Sequence, residues 1–279
     1  MGDQYLTDKG VPEAALAMEL LMARLLKCGR GFLSPYFDRC PEERVVAALR
    51  RAMARLAGGE PIQYVLGEWD FRSLTLTCDR RALIPRPETE ELVTRVLAFA
   101  RRYSRPRPLV VDVGTGSGCI TLALAKEMAD GVFLGLDLSA EAVSLARENA
   151  VRCGLSEKVT FAVADGLDDF DEPETVDILV SNPPYIATAD CAALDPRVRL
   201  FEPMMALDGG VAGLDFYERL IGDALNVVRP GGAVFFEIGD GQGPALKKLF
   251  TEAGFVKIRI EPDYAGHDRY ASAVLPPVA

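Results

Sequence analysis

The sequence has 279 residues, enough for one large α/β domain and a smaller companion, and at 49% hydrophobic and 26% charged it has the composition of a globular protein. A formal net charge of −10 and a pI near 4.8 argue against a surface that grips nucleic-acid phosphates broadly. No run approaches the ~18 apolar residues of a membrane span and the first residues begin no signal peptide, so a cytoplasmic location is the default expectation. Cys28, Cys40, Cys78, Cys119, Cys153 and Cys191 are widely spaced with no CxxC, and His267 is the one histidine, so no disulfide framework, metal site or His-based triad is expected.

The first sixty residues read as helices. Pro12-Glu13 suits a first turn, and Leu16, Leu20, Ala23 and Leu26 recur near the helical period before Gly29. A second helix opens at Pro41-Glu42-Glu43, carries Val45, Leu49, Ala52, Met53 and Leu56 on one face, and stops at Gly58-Gly59. Arg44, Arg50, Arg51 and Arg55 along it read as a solvated face. The period then shortens, and residues 63–69 and 71–77 predict two strands of a hairpin-like connector with Trp69 and Phe71 as packing anchors. In Leu83-Ile84-Pro85-Arg86-Pro87-Glu88-Thr89-Glu90, Pro87 fits the first helical position and the glutamates complement the helix amino end. That segment reads either as a rigid linker or as a lid over a ligand site.

The α/β pattern begins at Leu109-Val110-Val111, a buried strand running into Asp112-Val113-Gly114-Thr115-Gly116-Ser117-Gly118 and an apolar helix from Cys119 to Lys126. Glycines at a strand-to-helix turn let the backbone approach a ligand and aim helix N–H groups at it, a device shared with dinucleotide enzymes. The next strand ends at Asp137, placed for ribose hydroxyls, and a helix follows to about Arg152. Residues 159–163 form a further strand ending near Asp165, an acceptor for an adenine amino group. Acids at successive strand ends, followed one strand later by Asn-Pro-Pro-Tyr, favour an adenosyl methyl donor over a nicotinamide cofactor.

Asp177-Ile178-Leu179-Val180 reads as the end of a buried parallel strand that delivers Ser181-Asn182-Pro183-Pro184-Tyr185 to the carboxyl edge of the sheet. Consecutive prolines fix φ and supply no N–H, so the turn presents acceptors rigidly. Such a cluster suits a planar, conjugated NH2 group, whose delocalised lone pair makes it a poor nucleophile until it pyramidalises. Asn182 and the Pro183 carbonyl can hold its two N–H bonds, with Tyr185 against its planar face. The polar stretch from Ile186 to about Leu207 predicts a functional loop walling the substrate pocket. A helix from Leu214 to Val228, a turn at Pro230-Gly231-Gly232, a strand over 233–238, a helix over 243–253 and strands over 255–260 and 270–275 complete the pattern, with His267 as a turn histidine.

Five stretches together resemble the HemK/PrmC family, the N5-glutamine methyltransferases of peptide chain release factors: residues 59–64, 83–90, 112–118, 181–186 and 199–203. The resemblance covers nearly the whole length. It implies an α/β fold, a Rossmann-like seven-stranded class I methyltransferase sheet with a reversed final hairpin. It also implies residues 1–60 as a helical substrate-docking domain, residues 61–86 as a β-hairpin linker and residues 87–279 as the methyltransferase domain. The implied donor is S-adenosyl-L-methionine, held by Gly114, Thr115, Gly116, Ser117 and Gly118, with Asp137 at its ribose, Asp165 and Gly166 near its adenine, and Asn182 bordering both sites. Several relatives carry an aromatic residue where this chain has Gly166. The implied acceptor is the glutamine of the Gly-Gly-Gln loop of class I release factors, bound by Asn182, Pro183, Pro184 and Tyr185. The acidity and the lack of a long apolar run leave no direct nucleic-acid or membrane partner expected, and nothing in the sequence demands more than a monomer. A ribosomal-protein glutamine methyltransferase and a nucleic-acid adenine or guanine methyltransferase, which would offer the same acceptors to a flipped base, are the alternatives.

Overall fold

The computed structural model describes residues 2–34, 41–103, 105–168, 170 and 173–277; Cys40 therefore lies outside the described residues. In chain order the elements are α1 (Gly2–Asp8), α2 (Ala14–Leu26), α3 (Glu43–Ala57), α4 (Ile62–Leu66), β1 (Glu68–Phe71), β2 (Leu74–Thr77), α5 (Pro87–Ala100), β3 (Leu109–Val113) and α6 (Cys119–Glu127). There follow β4 (Val132–Asp137), α7 (Ala140–Arg152), β5 (Val159–Val163), β6 (Val176–Ser181), α8 (Pro196–Arg199), α9 (Asp215–Val227), β7 (Val228–Glu237), α10 (Gly243–Glu252), β8 (Val256–Pro262) and β9 (Asp268–Val274). They fall into two compact units, one running to Glu68 and including Asp195–Phe201, the other made of Trp69–Leu194 and Glu202 onward.

The first unit is a small helical body with a core of Leu6, Ala14, Ala17, Leu21 and Leu56. The short α1 buries only Leu6, too little to show a period in the sequence. On α3, Arg44, Arg50 and Arg51 are exposed, while Arg55 is bound to the Glu60 carboxylate at 2.7 and 2.8 Å and to the Tyr64 carbonyl at 3.0 Å. The strand expected over 63–69 is instead mostly helix. Pro61 fixes φ at the start of α4, and the Gly67 N–H closes the turn on the Gln63 carbonyl at 3.0 Å. Only Glu68–Phe71 pairs with Leu74–Thr77, as a separate two-stranded ribbon.

In the second unit seven strands lie in the order β5-β4-β3-β6-β7-β9-β8, with β3 to β7 parallel and β9 antiparallel between β7 and β8. All six residues of β6 are buried, as its continuous apolar run predicts for a parallel strand covered on both faces. Ile178 and Val180 join a core with Leu92, Ile120, Phe133 and Phe235, and Leu179 joins a second with Tyr217, Phe236, Leu246 and Phe250. The one charge in β6, Asp177, accepts from the Tyr103 hydroxyl at 2.9 Å and the Leu109 N–H at 2.8 Å and pairs with Arg229 at 2.8 Å, which satisfies it inside the sheet. Pro230-Gly231-Gly232 proves to be a bulged part of β7 and not a turn before it. The Gly231 N–H and the Gly232 carbonyl are both taken up by Leu275, and the β6–β7 register shifts between Val176 and Ile178.

The register sets which residues share an edge. Val113, Ser181 and Phe236 are cross-strand partners, and Asp137 lies opposite Val163. Successive strands run outward from β3 in opposite directions, so the crevice of this switch point opens between the β3 and β6 carboxyl ends, beside Gly114 and Asn182. The five described cysteines are free thiols, and no helix among the described residues is long and apolar enough to cross a membrane.

Candidate functional site

A cavity of about 530 Å³ lies along this edge, within the second unit. On its floor the glycine turn is held by the Gly114 and Thr115 N–H groups, which donate to the Leu136 carbonyl at 2.8 and 2.9 Å. Gly114, Thr115, Gly116 and Ser117 line the cavity, but Gly118 does not. Gly118 has φ +80° at the start of α6, and an added Cβ would lie 3.0 Å from Phe161 and 3.1 Å from Ala146. Its lack of a side chain serves close helix packing.

Asp137 ends β4 with both oxygens engaged, one by the Ser139 N–H at 2.9 Å and the other by the Gly116 N–H at 2.8 Å. Burial pushes its carboxyl pKa above the ordinary value against those two bonds. Asp165 and Gly166 line the far end, where Arg219 of α9 donates to the Asp165 side chain and carbonyl, both at 2.6 Å, and reaches Asp168 at 2.8 Å. Its guanidinium lies 3.2 Å from where a Cβ on Gly166 would project. Arg219 has no signal in the sequence beyond being a charge on an amphipathic helix.

The Asn182 turn is fastened from three sides. The Ser181 hydroxyl donates to the Val113 carbonyl at 2.6 Å, tying the turn to the glycine strand. The Asn182 amide donates to the Thr89 hydroxyl at 3.1 Å, and Thr89 donates to Glu237 at 2.7 Å. The Tyr185 carbonyl accepts from the Gln242 amide at 3.0 Å, and the other end of that amide accepts from the Gly239 N–H at 2.8 Å. Asn182, Pro183 and Pro184 line the cavity; the Tyr185 side chain is not part of its wall. Burial pushes the Tyr185 phenol up to about 12, so it stays protonated across the physiological range.

Two long-range contacts shape the rim. Glu202, buried, accepts from the Ile84 N–H at 3.1 Å and from Arg86 at 2.6 Å, which pins the extended segment whose residues Arg81 to Arg86 line the cavity. The loop after Tyr185 folds back on itself: the Ile186 N–H donates to the Leu207 carbonyl at 3.0 Å, and Thr188 donates to Asp208 at 2.7 Å. Thr188, Pro203, Met205 and Asp208 thereby complete the wall. His267 is exposed and faces Asp240 at 3.1 Å, away from the cavity lining.

Residues 108–251 match a family profile described as a methyltransferase domain, and residues 1–67 match one described as the PrmC N-terminal domain. The release factor glutamine methyltransferase of Geobacter sulfurreducens is 39% identical over 265 residues, spanning 95% of this chain and 91% of that protein. That of Deinococcus radiodurans is 38% identical over 271 residues, spanning 96% and 94%. Among solved structures, the human methyltransferase 10 domain containing protein shares the fold, at 16% identity and a TM-score of 0.54 over 74% of this chain and 89% of that one. The chain belongs to the release factor glutamine methyltransferase family.

Proposed function

We propose that the chain methylates the side-chain amide nitrogen (N5) of the glutamine in the Gly-Gly-Gln loop of class I peptide chain release factors, with S-adenosyl-L-methionine as donor. The observation that carries this reading is the meeting, in one cavity, of the glycine turn and Asp137 with Asn182 and Pro183, in a chain of this family. The cavity volume, about 530 Å³, suits a nucleoside-sized ligand, and at Gly114 an added Cβ would meet nothing within 4 Å, so the backbone there is open to close approach. Gly114 to Ser117 would cradle the donor, Asp137 would hold its ribose, and Asp165 and Gly166 would border its adenine.

The donor supplies a methyl group on a sulfonium, an electrophile that needs no activation by the protein. The difficulty lies in the acceptor, whose nitrogen lone pair is delocalised into the amide carbonyl. The Asn182 side-chain oxygen and the Pro183 carbonyl accept the two N–H bonds, align the nitrogen and favour the positive charge that grows on it. The N-methylated amide is strongly acidic until it sheds one proton to water, so no buried base is required. Tyr185 supports the turn through its carbonyl, which is latched by the Gln242 amide. In this reading residues 1–60 dock the protein substrate, residues 61–86 connect, and residues 87–279 carry the chemistry, in the cytoplasm and as a monomer.

The test is transfer of labelled methyl from S-adenosyl-L-methionine to a purified release factor, beside a variant with the loop glutamine replaced by alanine, and to undermethylated DNA and RNA. Label on the intact factor and not on its variant is expected. Label on nucleic acid alone overturns the substrate while leaving the fold and donor site in place.

A further inference from the structure

We infer that Thr89 and Glu237 are positioning residues that fix which end of the Asn182 amide faces the acceptor glutamine, an inference that rests on the reading proposed above. Three elements meet in this relay: Thr89 in the first turn of α5, Glu237 at the end of β7, and Asn182 just past β6. Thr89 and Glu237 are each 2% exposed. A threonine hydroxyl carries one hydrogen and two lone pairs. Thr89 gives that hydrogen to the Glu237 carboxylate at 2.7 Å, so toward Asn182, at 3.1 Å, it offers only a lone pair. The end of the Asn182 amide that meets Thr89 must then be its NH2, which leaves the oxygen as the free end of a side chain that lines the cavity. The opposite rotamer would set an NH2 against the NH2 of the substrate glutamine, donor against donor.

The relay holds while Glu237 is ionised. Once protonated, the carboxyl can donate to Thr89, and Thr89 can turn its hydrogen toward the Asn182 oxygen, so the preference for one rotamer is lost. Burial pushes the Glu237 pKa up to about 7, opposed by the Thr89 bond. The charged and titratable groups around it come from every neighbouring element: Arg86 and Glu88 at the start of α5, Arg269 and Tyr270 on β9, Tyr185 after β6, Tyr217 on α9 and Cys119 on α6. The Tyr217 hydroxyl also donates to the Glu237 backbone carbonyl at 2.8 Å, which fixes the strand end beneath the carboxylate.

The experiment compares wild type, Thr89→Val, Thr89→Ser and Glu237→Gln. In the protein alone, isotope-edited infrared spectroscopy of the Glu237 carboxyl is expected to show a midpoint near 7 that rises in Thr89→Val and returns in Thr89→Ser; an unmoved midpoint in Thr89→Val overturns the relay. In methyl transfer to a release factor, kcat of the wild type is expected to climb with pH through about 7, and Glu237→Gln to flatten that limb. Thr89→Val is expected to lose about tenfold in kcat, the effect of one orienting hydrogen bond, with donor affinity unchanged and Thr89→Ser restoring activity. Equal losses in donor affinity and kcat, or no rescue by serine, mean a structural role and overturn the inference. If the wild type does not label the release factor, the substrate reading fails on its own, and the infrared midpoint still decides whether the relay exists.

Discussion

Replacing Glu202 by alanine probes how the rim of the cavity is held. Its carboxylate, 1% exposed, accepts from the Ile84 N–H at 3.1 Å and from Arg86 at 2.6 Å. Ile84 is itself buried, so its N–H loses its partner without gaining water, a cost of about 1–3 kcal/mol. Arg86 is 31% exposed and regains water, so its pairing contributes at most ~1 kcal/mol. The lost methylenes add roughly 1 kcal/mol, and relief of the carboxylate's own desolvation offsets part of the total. The net expectation is a loss of about 2–3 kcal/mol. In a unit of about 200 residues that lowers Tm by roughly 4–12 °C by calorimetry. Glu202→Gln keeps the volume and an acceptor for Ile84, and should lose less than half as much. Because the pinned segment lines the cavity, donor affinity in Glu202→Ala should fall with stability. A Tm and a donor Kd both equal to those of the wild type refute the reasoning.

Asn182→Ala should leave donor binding by calorimetry nearly intact while lowering turnover at least ~100-fold, as loss of a preorganised hydrogen-bonding group does; near-normal turnover removes Asn182 from the acceptor site. Asn149→Ala should cost ~3 kcal/mol in urea unfolding. That fully buried amide holds the Thr77 N–H at 2.7 Å, the Thr77 carbonyl at 3.2 Å and the Ser117 carbonyl at 2.9 Å, and truncation strands all three. Glu237 gives a pH signature in stability as well as in rate. Its folded pKa of about 7 lies above that of an unfolded glutamate, so the unfolded chain releases its proton first, and this group's contribution is full at acid pH and lost as pH rises toward 7. Glu237→Gln should remove that slope, worth of order 3 kcal/mol, from ΔG of unfolding between about pH 4.5 and 7; an unchanged slope points to a different group.

The parts of the fold legible in the sequence are those whose physics is local. The apolar run of β6 and the Gly114–Gly118 turn announce themselves, because burial on both faces and a tight strand-to-helix turn each select residue types in place. Residues 63–69 misled because an apolar stretch that short has no decisive period, and a proline before it and a glycine after it frame a helical turn as well as a strand. Within the site, Asn182 and Asp137 are legible from their position at strand ends. Thr89, Glu237 and Arg219 are not, since each acts through a partner far along the chain: 93 residues for Thr89 with Asn182, 148 for Thr89 with Glu237, and 54 for Arg219 with Asp165. Tyr185 and Gly118, drawn into the site by their motifs, are not among the residues that line the cavity. The substrate class is not legible in the acceptor cluster itself, since acceptors for a planar NH2 group fit a base as well as a glutamine.

The placement of β9 between β7 and β8 has a kinetic consequence. A chain made from its amino end completes β7, with Glu237 at its tip, before the partner for its outer edge exists. Residues 238–267 lie between the two strands, so β7 is made before the strand that covers its outer edge. Until β9 docks, the apolar strand Ala233 to Phe236 has unpaired N–H and carbonyl groups on its outer edge, and β8, though earlier in the chain than β9, cannot cap it because it pairs only through β9. The inverted hairpin therefore makes the outer edge of the strand that carries Glu237 the last part of the sheet to be sealed, and until β9 docks that edge is open to mispairing.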